Sequence, residues 1–422
     1  MTNRILMRST AAMLALGLVA AACGGDDDDD SAAEDTAADE VADTAAEEPA
    51  DDTTAEETAD TEADDSAEDT APPETEAAEP EEDLDYPECA VDEVDGDLFI
   101  YNWAEYIQPK ELKAFGEEYG VNVTMDAYDS NEAMQPIITA GNSGYDLIVP
   151  SDYMVSILRS AESLMPLNQD AIPNAANLLP EFADPEYDPG NTYSMPYQWG
   201  TTGLAVDTEV LGDDFELSWG IVFDPAFADQ FSGQITLLND PRETMGAALK
   251  YLGYSLNTTS EEELAEATDL VSQTRGNLAA FDTDQADELL VTGETAIAHG
   301  YSGDMFVQFQ EADDPSRYKY FVPEEGGAVY VDTIAIPFDA PHPCTAHTFI
   351  NWLLTAEHGA ALSNWNYYAT PNEAALPLLD APLVEFLTDE TTVVGGQESL
   401  EQFLDTGEFE INYSDAFIQA KG

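Results

Sequence analysis

The chain has 422 residues, of which 88 are acidic and 11 are basic, and its formal net charge at pH 7 is −77. So acidic a chain lacks the basic surface that phosphate groups require, which excludes nucleic acid as a partner. It would instead attract cationic ligands, although an acidic surface can also serve only solubility or salt tolerance.

The N-terminus has the pattern of an export signal. Arg4 and Arg8 precede an apolar run at 11–22. This run is short for a membrane-spanning helix, which needs about 20 apolar residues. The sequence VAAAC, ending at Cys23, is similar to a bacterial lipoprotein signal, in which the cysteine is lipidated. We therefore expect 1–22 to be a signal peptide and the exported chain to be lipid-anchored through Cys23, at the outer face of the cytoplasmic membrane or in the periplasmic space. A plain signal peptide with an incidental cysteine is the alternative.

Residues 23–88 form an acidic segment of low complexity. Between Asp26 and Glu88 there are 30 acidic residues, no basic residue and almost no large apolar side chain. Such a segment cannot bury enough apolar surface to offset its ordering entropy. We expect a disordered linker with an r.m.s. span of about 45 Å or more. From Cys89 onward the chain has 58 acidic and nine basic residues, so the region predicted to fold is acidic as well.

Strands and helices are predicted to alternate from about residue 96. The predicted strands are 98–101, 121–125, 145–149, 234–238, 296–299, 318–322 and 329–336, and the predicted helices are 110–119, 132–139, 243–252, 261–274 and 344–365. This alternation predicts an α/β fold with a parallel sheet. About 330 residues are too many for one small domain, so we expect two lobes with a ligand cleft between them.

Two cysteines, Cys89 and Cys344, remain once Cys23 is assigned to lipidation. Two thiols in an exported chain favour a disulfide, here between the start of the folded region and a distant helix. Two free thiols are the alternative, because the sequence does not show whether the two sites are close.

The motifs of common enzymes and cofactor sites are missing from the sequence. It has no Gly-rich phosphate loop and no Gly-x-Ser-x-Gly elbow. His342 and His347 flank Cys344, but three donors without a fourth make a weak zinc site. Acid pairs also serve glycosidases, yet no pair stands out here. We expect no metal, no cofactor and no catalysis, with a surface carbohydrate-active enzyme as the less favoured alternative.

Two features suggest a ligand site. Residues 102–106 and 150–153 combine aromatic and polar side chains and follow the first and third predicted strands, where open α/β sheets bind ligands. Asp332 lies in an otherwise apolar strand, on the same face as Tyr330. A carboxylate there is costly without a counter-charge, so a ligand ammonium is a candidate partner, and structural hydrogen bonding is the alternative.

The segment that begins at Asp240 has a strong structural interpretation. Asp240 at the N-cap, Pro241 at the first helical position and Glu243 at the third make a helix-capping pattern. The sequence favours the cap, because the positive end of the helix dipole disfavours a cation there. A carboxylate oxygen of this cap can still face a cleft, so the two roles are compatible.

The region from about 96 to 422 resembles the bacterial spermidine/putrescine-binding proteins of polyamine ABC transporters. The matching stretches are 101–106 (YNWAEY), 129–132 (DSNE), 145–151 (YDLIVPS), 195–200 (MPYQWG), 301–304 (YSGD), 325–327 (EGG) and 368–372 (YATPN). The resemblance implies a two-lobed periplasmic-binding-protein-like fold (type II), with lobe 1 at 96–199 and 331–372 and lobe 2 at 200–330 and 373–422. It also implies a monomer that captures putrescine or spermidine and delivers it to an ABC permease.

The resemblance also implies the ligand contacts, position by position. They combine carboxylates, which bind ammonium groups, with aromatic faces, which pack on methylene chains and cations. The implied contacts are Trp103, Glu105, Tyr106, Ser151, Tyr153, Asp240, Glu243, Tyr301, Asp304, Tyr330, Asp332, Tyr368 and Glu410. A receptor for another organic cation or amino compound, and an acidic structural lipoprotein, are the remaining alternatives.

Overall fold

The computed structural model describes residues 86–212, 214–389 and 391–422. The predicted signal peptide, Cys23 and the predicted linker as far as residue 85 lie outside the described residues. Within the described ranges, no helix has the length and apolar character needed to cross a lipid bilayer.

The described residues alternate between strands and helices, as predicted. The strands are β1 (Leu98–Trp103), β2 (Val123–Tyr128), β3 (Leu147–Ile148), β4 (Ser194–Asp207), β5 (Ile235–Leu237), β6 (Leu278–Phe281), β7 (Ile297–Tyr301), β8 (Tyr318–Phe321), β9 (Gly327–Ala335) and β10 (Leu400–Glu401). The helices are α1 (Pro109–Tyr119), α2 (Asn131–Thr139), α3 (Asp152–Ser160), α4 (Thr208–Leu211), α5 (Gly220–Phe223), α6 (Pro225–Ala228), α7 (Pro241–Leu252), α8 (Glu261–Thr274), α9 (Ala286–Val291), α10 (Ser302–Glu311), α11 (Pro343–Leu353), α12 (Ala356–Asn366), α13 (Ala381–Leu387) and α14 (Glu410–Lys421).

The sheet is parallel at its two ends and antiparallel at its centre. Its strand order is β2–β1–β3–β9–β4–β7–β5–β6, with β8 added to β4 and β10 added to β9. β1 is parallel to β2 and β3, and β5 is parallel to β6 and β7. The long strands β4 and β9 are antiparallel, with Trp199 opposite Val331 and Gly200 opposite Tyr330. The prediction of a parallel sheet is therefore right only for the two outer regions.

The two largest apolar clusters among the described residues lie on the two parallel regions. The first draws its buried residues from 98–197 and 330–368, and the second mainly from 204–297 and 413–420. Strands β3 and β5 are buried at every residue, as expected when helices cover both faces of a parallel sheet. The chain therefore leaves the first core, builds most of the second, returns to the first through β9 and completes the second with α14.

The single long helix predicted over 344–365 is wrong, because the structure has α11 and α12 there. Thr355 interrupts the helix with extended backbone angles (φ −68°, ψ 156°). Its Oγ1 accepts a hydrogen bond from the backbone N–H of His358 at 3.4 Å. Such a side-chain cap begins a new helix, so Thr355 was the sequence signal for the break.

A disulfide joins Cys89 to Cys344, which are 255 residues apart in sequence and whose Cα atoms are 5.2 Å apart. Hydrogen bonds hold the same segment to α11. The carboxylate of Asp95 accepts from the backbone N–H of Thr345 at 3.0 Å. The hydroxyl of Thr348 donates to the carbonyl of Glu93 at 2.7 Å. The start of the fold is thus fastened to α11 by covalent and polar contacts together.

Replacing both Cys89 and Cys344 by serine is expected to lower the free energy of unfolding by about 3–5 kcal/mol. A cross-link that closes so long a loop strongly restricts the unfolded chain. Urea unfolding followed by circular dichroism measures the difference. Reductant should destabilise the parent to the level of the variant and leave the variant unchanged. Equal stability of the oxidised parent and the variant would contradict the prediction.

Candidate functional site

A cleft with an empty volume of about 760 Å³, including its open mouth, contains most of the predicted ligand contacts. The predicted residues that line it are Trp103, Glu105, Tyr106, Ser151, Tyr153, Asp240, Glu243, Tyr301, Asp304, Tyr330, Asp332 and Tyr368. The other lining residues are Ala104, Tyr128, Asn131, Arg242, Thr283, Asp284, Asp287 and Phe403. The structure does not bring Glu410 to this lining.

One wall of the cleft is formed where two neighbouring parallel strands end. β1 and β3 are paired, so the residues that follow them lie at the same edge of the sheet. The indole Nε1 of Trp103 donates to the carbonyl of Val149 at 2.9 Å, which fixes the indole beside β3. Glu105 has a left-handed backbone (φ 51°), which turns the chain sharply after β1. Both predicted segments therefore meet at the cleft.

Asp332 is held by neutral hydrogen-bond donors. Its Oδ2 accepts from the hydroxyl of Tyr106 at 2.6 Å, and its Oδ1 accepts from the hydroxyl of Ser151 at 2.7 Å. Asp332 is only 4% exposed. Burial raises the pKa of Asp332 to about 6, although these two hydrogen bonds lower it. The carboxylate is thus oriented without being neutralised by either hydrogen-bond partner.

Two further carboxylates stand at the start of α7. The Oδ1 of Asp240 accepts from the backbone N–H of Glu243 at 3.0 Å, so the predicted helix cap is confirmed. Glu243 accepts from the hydroxyl of Thr202 at 2.8 Å. Burial, reinforced by the charge of Glu132, raises the pKa of Asp240 to about 8. Burial and the charge of Asp240 raise the pKa of Glu243. Asp240 therefore caps α7 and also lines the cleft, and the sequence had allowed both roles.

Arg242 is a cleft residue that sequence reasoning missed. It is 1% exposed, and its Nη1 donates to the two carboxylate oxygens of Glu410 at 2.8 and 2.7 Å. Its guanidinium lies 5.2 Å from the ring centre of Tyr153, 4.9 Å from that of Phe403 and 4.4 Å from that of Tyr413. Its position inside the capping pattern favoured a purely structural interpretation of this segment. The rarity of basic residues in this chain was the available signal.

Aromatic rings form a cage along the cleft. Tyr301 lies edge-on to Trp103, with ring centres 6.4 Å apart, and edge-on to Tyr330, with ring centres 5.6 Å apart. Tyr106 and Tyr368 make a further edge-to-face pair at 4.8 Å. Such pairs are favourable ring geometries, and their exposed faces attract cations and methylene groups.

A second group of carboxylates lines the same cleft, and it consists of Glu105, Asp284, Asp287 and Asp304. Asp304 follows Gly303 in the first turn of α10. A Cβ atom at Gly303 would lie 2.5 Å from ring carbons of Tyr368, so only glycine lets that ring pack here. Burial and the charge of Asp287 raise the pKa of Asp304, and burial raises the pKa of Asp287 to about 7.

Asp284 and Asp287 were not predicted, because acidic residues are abundant and Asp287 has the ordinary position of an acid in the first turn of a helix. The described residues hold no group of three or more histidine, cysteine, aspartate or glutamate side chains arranged for a metal ion. An organic cation, with hydrogen bonds to offer and apolar carbon between its charges, fits this lining of carboxylates and rings.

Comparisons with known proteins agree with this geometry. The family model described as bacterial extracellular solute-binding protein matches residues 110–385. The putrescine/cadaverine-binding protein of Pseudomonas aeruginosa is 33% identical over 288 residues, which are 67% of this chain and 81% of that protein.

Two solved structures share the fold over almost their whole length. The putative spermidine/putrescine ABC transporter from Listeria monocytogenes superposes with a TM-score of 0.72 at 33% identity, covering 78% of this chain and 99% of that one. The TpPotD lipoprotein of Treponema pallidum superposes with a TM-score of 0.66 at 30% identity, covering 77% and 99%. The predicted two-lobed type II fold and the non-enzymatic class are confirmed. The chain belongs to the family of bacterial extracellular solute-binding proteins.

Proposed function

We propose that this chain binds a polyamine, putrescine or spermidine, outside the cytoplasm and delivers it to the permease of an ABC importer. The composition of the cleft carries the proposal: rings and carboxylates line it, and among the described lining residues only Arg242 is basic. The names of the similar proteins support the same ligand class, because they refer to putrescine, cadaverine and spermidine.

In this proposal the carboxylates bind ammonium groups and the rings pack along the methylene chain. Asp332 is the central acceptor, because Tyr106 and Ser151 orient its oxygens without cancelling its charge. Asp240 and Glu243 bind an ammonium beside it. Charge-assisted hydrogen bonds contribute about 1.5–3 kcal/mol each, and cation–π contacts up to about 2 kcal/mol. A few of each give micromolar binding, which needs about 8 kcal/mol.

The remaining contacts complete the proposed ligand set. They are Trp103, Glu105, Tyr153, Tyr301, Asp304, Tyr330 and Tyr368, all of which line the cleft. Glu410 contributes indirectly, because its carboxylate fixes the guanidinium of Arg242 at the cleft wall.

The proposed lobes are 96–199 with 331–372, and 200–330 with 373–422. Two observations support these bounds. The two largest apolar clusters divide along nearly the same lines, and the proposed crossovers at Gly200 and Tyr330 lie opposite each other in the β4–β9 pair. Hinge closure of the lobes over the ligand would present a closed form to the permease. The receptor acts as a monomer in this scheme.

The signal peptide at 1–22, lipidation at Cys23 and the linker at 23–88 place the receptor at the membrane in this proposal. The residue pattern around Cys23 supports lipidation, and the similar protein of Treponema pallidum is named as a lipoprotein. Stable anchoring takes more than one acyl chain, which a bacterial lipoprotein anchor supplies.

Calorimetric titration of the purified full-length protein with putrescine, spermidine and spermine tests the proposed ligand. We expect saturable one-to-one binding of at least one of these amines that persists at moderate salt. Lysine and sodium chloride serve as controls for unspecific charge effects.

Weak heat that does not saturate and vanishes with salt would mean that amines only coat an acidic surface. That result would overturn the proposed function. Tight binding of a different organic cation would replace the polyamine, and turnover of a sugar substrate would favour an enzyme.

A further inference from the structure

We propose that His299 is a positioning residue for ligand binding, and that it acts on the carboxylate of Glu243 through one ordered water in a cavity beside the cleft. This inference rests on the proposed function and deepens it, because Glu243 is one of the carboxylates that would bind an ammonium group. His299 is not among the ligand contacts predicted from the sequence.

The cavity shares Glu243 with the ligand cleft. Its empty volume is about 180 Å³, and its lining includes Thr202, Trp219, Lys250 and His299. A cavity holds an ordered water when it has room for one and offers it at least two polar partners. His299 and Glu243 can supply these two partners, one as a donor and the other as an acceptor.

The sheet places His299 on the face that carries the ligand site. In the antiparallel β4–β7 pair, Thr202 is opposite Tyr301 and Leu204 is opposite His299. Residues that are opposite each other, or two apart along one strand, share a face of the sheet. His299 is therefore on the same face as Tyr301, which lines the cleft. It also shares that face with Thr202, whose hydroxyl donates to Glu243 at 2.8 Å.

The imidazole of His299 has a hydrogen to donate. Its Nδ1 accepts from the backbone N–H of Leu238 at 3.5 Å. Burial lowers the pKa of His299 to about 3, so the ring is neutral at neutral pH and its proton is on Nε2. The residue is 0% exposed, and its Nε2 has no hydrogen-bond partner among the described residues. A buried donor without an acceptor is costly, so a water that accepts from Nε2 stabilises the fold.

Other polar side chains of the cavity lining are already bound. The indole Nε1 of Trp219 donates to a backbone carbonyl at 2.8 Å, and its ring lies edge-on to His299 with ring centres 5.2 Å apart. The ammonium of Lys250 is 3.0 Å from a carboxylate oxygen of Glu401. Glu243 is the one carboxylate among the described lining residues. A water that accepts from His299 would therefore donate to Glu243.

Such a hydrogen bond favours the ionised form of Glu243. The charges of Asp240, at the start of α7, and Asp332, on β9, act against that form, whereas Arg242 supports it. The tyrosines that the charge of Glu243 affects are neutral below pH 10, and they are Tyr301, Tyr320 and Tyr330. Loss of the donor at His299 should therefore raise the pKa of Glu243. Amine binding should then weaken most at low pH, where fewer molecules carry the ionised carboxylate.

Two substitutions separate the two edges of the imidazole. His299→Asn keeps an acceptor near the position of Nδ1 and removes the donor at Nε2, whereas His299→Gln keeps a donor near Nε2. Carbon-13 NMR of the unliganded full-length protein gives the pKa of Glu243, with Glu243→Gln to assign the signal. Calorimetric titration with putrescine and spermidine over a pH series gives the affinity, and thermal unfolding gives the stability of each variant.

We expect His299→Asn to raise the pKa of Glu243 and to weaken amine binding about three- to tenfold at neutral pH, since one pKa unit corresponds to a factor of ten. The loss should shrink as pH rises. His299→Gln should keep the pKa of Glu243 and stay within about twofold of the parent in affinity, even where both variants lose stability. An unchanged pKa of Glu243 in His299→Asn, or equal losses in both variants at every pH, would overturn the role of His299.

A measurement on the parent does not depend on the folding of any variant. Nitrogen-15 NMR should show the proton of His299 on Nε2, and a proton on Nδ1 would overturn the inference. A parent that shows this tautomer but binds no amine would instead overturn the proposed function.

Discussion

Asp332→Asn is expected to weaken polyamine binding by about 10- to 150-fold while leaving the fold intact. The substitution keeps the size of the side chain and removes the charge that an ammonium would bind. A charged hydrogen bond contributes about 1.5–3 kcal/mol, and each 1.36 kcal/mol is a factor of ten. Calorimetric titration gives the affinity, and thermal unfolding gives the stability of the variant.

The control for this substitution is Asp269→Asn. Asp269 is exposed on α8. Its substitution changes the net charge by the same amount as Asp332→Asn, so nonspecific attraction of the cationic ligand is altered equally. Its affinity should match the parent. An Asp332→Asn protein that binds as tightly as the parent would show that Asp332 only supports Tyr106 and Ser151 structurally.

Ligand affinity is also expected to rise as pH increases up to about 8, by up to tenfold per pH unit for each carboxyl group that must still lose a proton. Burial raises the pKa of Asp332 to about 6, and burial with the charge of Glu132 raises that of Asp240 to about 8. An ammonium binds the ionised carboxylate, so the ligand displaces these protons. Titrations in buffers of different ionisation enthalpy should detect their release.

The unliganded protein should show the opposite dependence on pH. Carboxyl groups in an unfolded chain have pKa values near 4, below those of Asp332 and Asp240 in the folded protein. The folded state therefore binds more protons between about pH 4 and 8. Its free energy of unfolding falls as pH rises through this window. Bound ligand should reduce that loss, because its ammonium groups stabilise the ionised carboxylates.

Asp240→Asn serves as the control for the pH effect. It removes the carboxyl group with the higher of the two pKa values, so the remaining rise in affinity should be complete at a lower pH. The capping acceptor is retained, because the asparagine side-chain oxygen also accepts from the backbone N–H of Glu243. Affinity that is constant across the range, or proton uptake on binding, would contradict the prediction.

Local patterns in the sequence predicted several of the residues that line the cleft. Asp332 stood out because a carboxylate interrupts an apolar strand. Ser151 and Tyr153 stood out because they follow a strand end, where parallel sheets bind ligands. In each case one local rule was enough, since the signal is visible within a few residues.

The residues that escaped the sequence depend on partners far away in the chain. Arg242 forms an ion pair with Glu410, which lies 168 residues later, and no local sequence pattern near either residue indicates this pair. This pair explains why Glu410 lies outside the cleft lining. Asp284 and Asp287 look ordinary in so acidic a chain. Similarly, apolar residues continue through α11 and α12, and only the capping role of Thr355 separates them.

The disulfide has a mechanical consequence under the proposed attachment of the receptor through its N-terminus. The predicted linker ends at residue 88, so tension along it reaches the fold at Cys89. The covalent bond to Cys344 passes that tension to α11, which is buried along most of its length. Strand β1, which begins at Leu98 and carries Trp103 at the cleft, is therefore shielded from pulling. Tension from the tether would therefore act on α11 and not on the cleft wall that β1 forms.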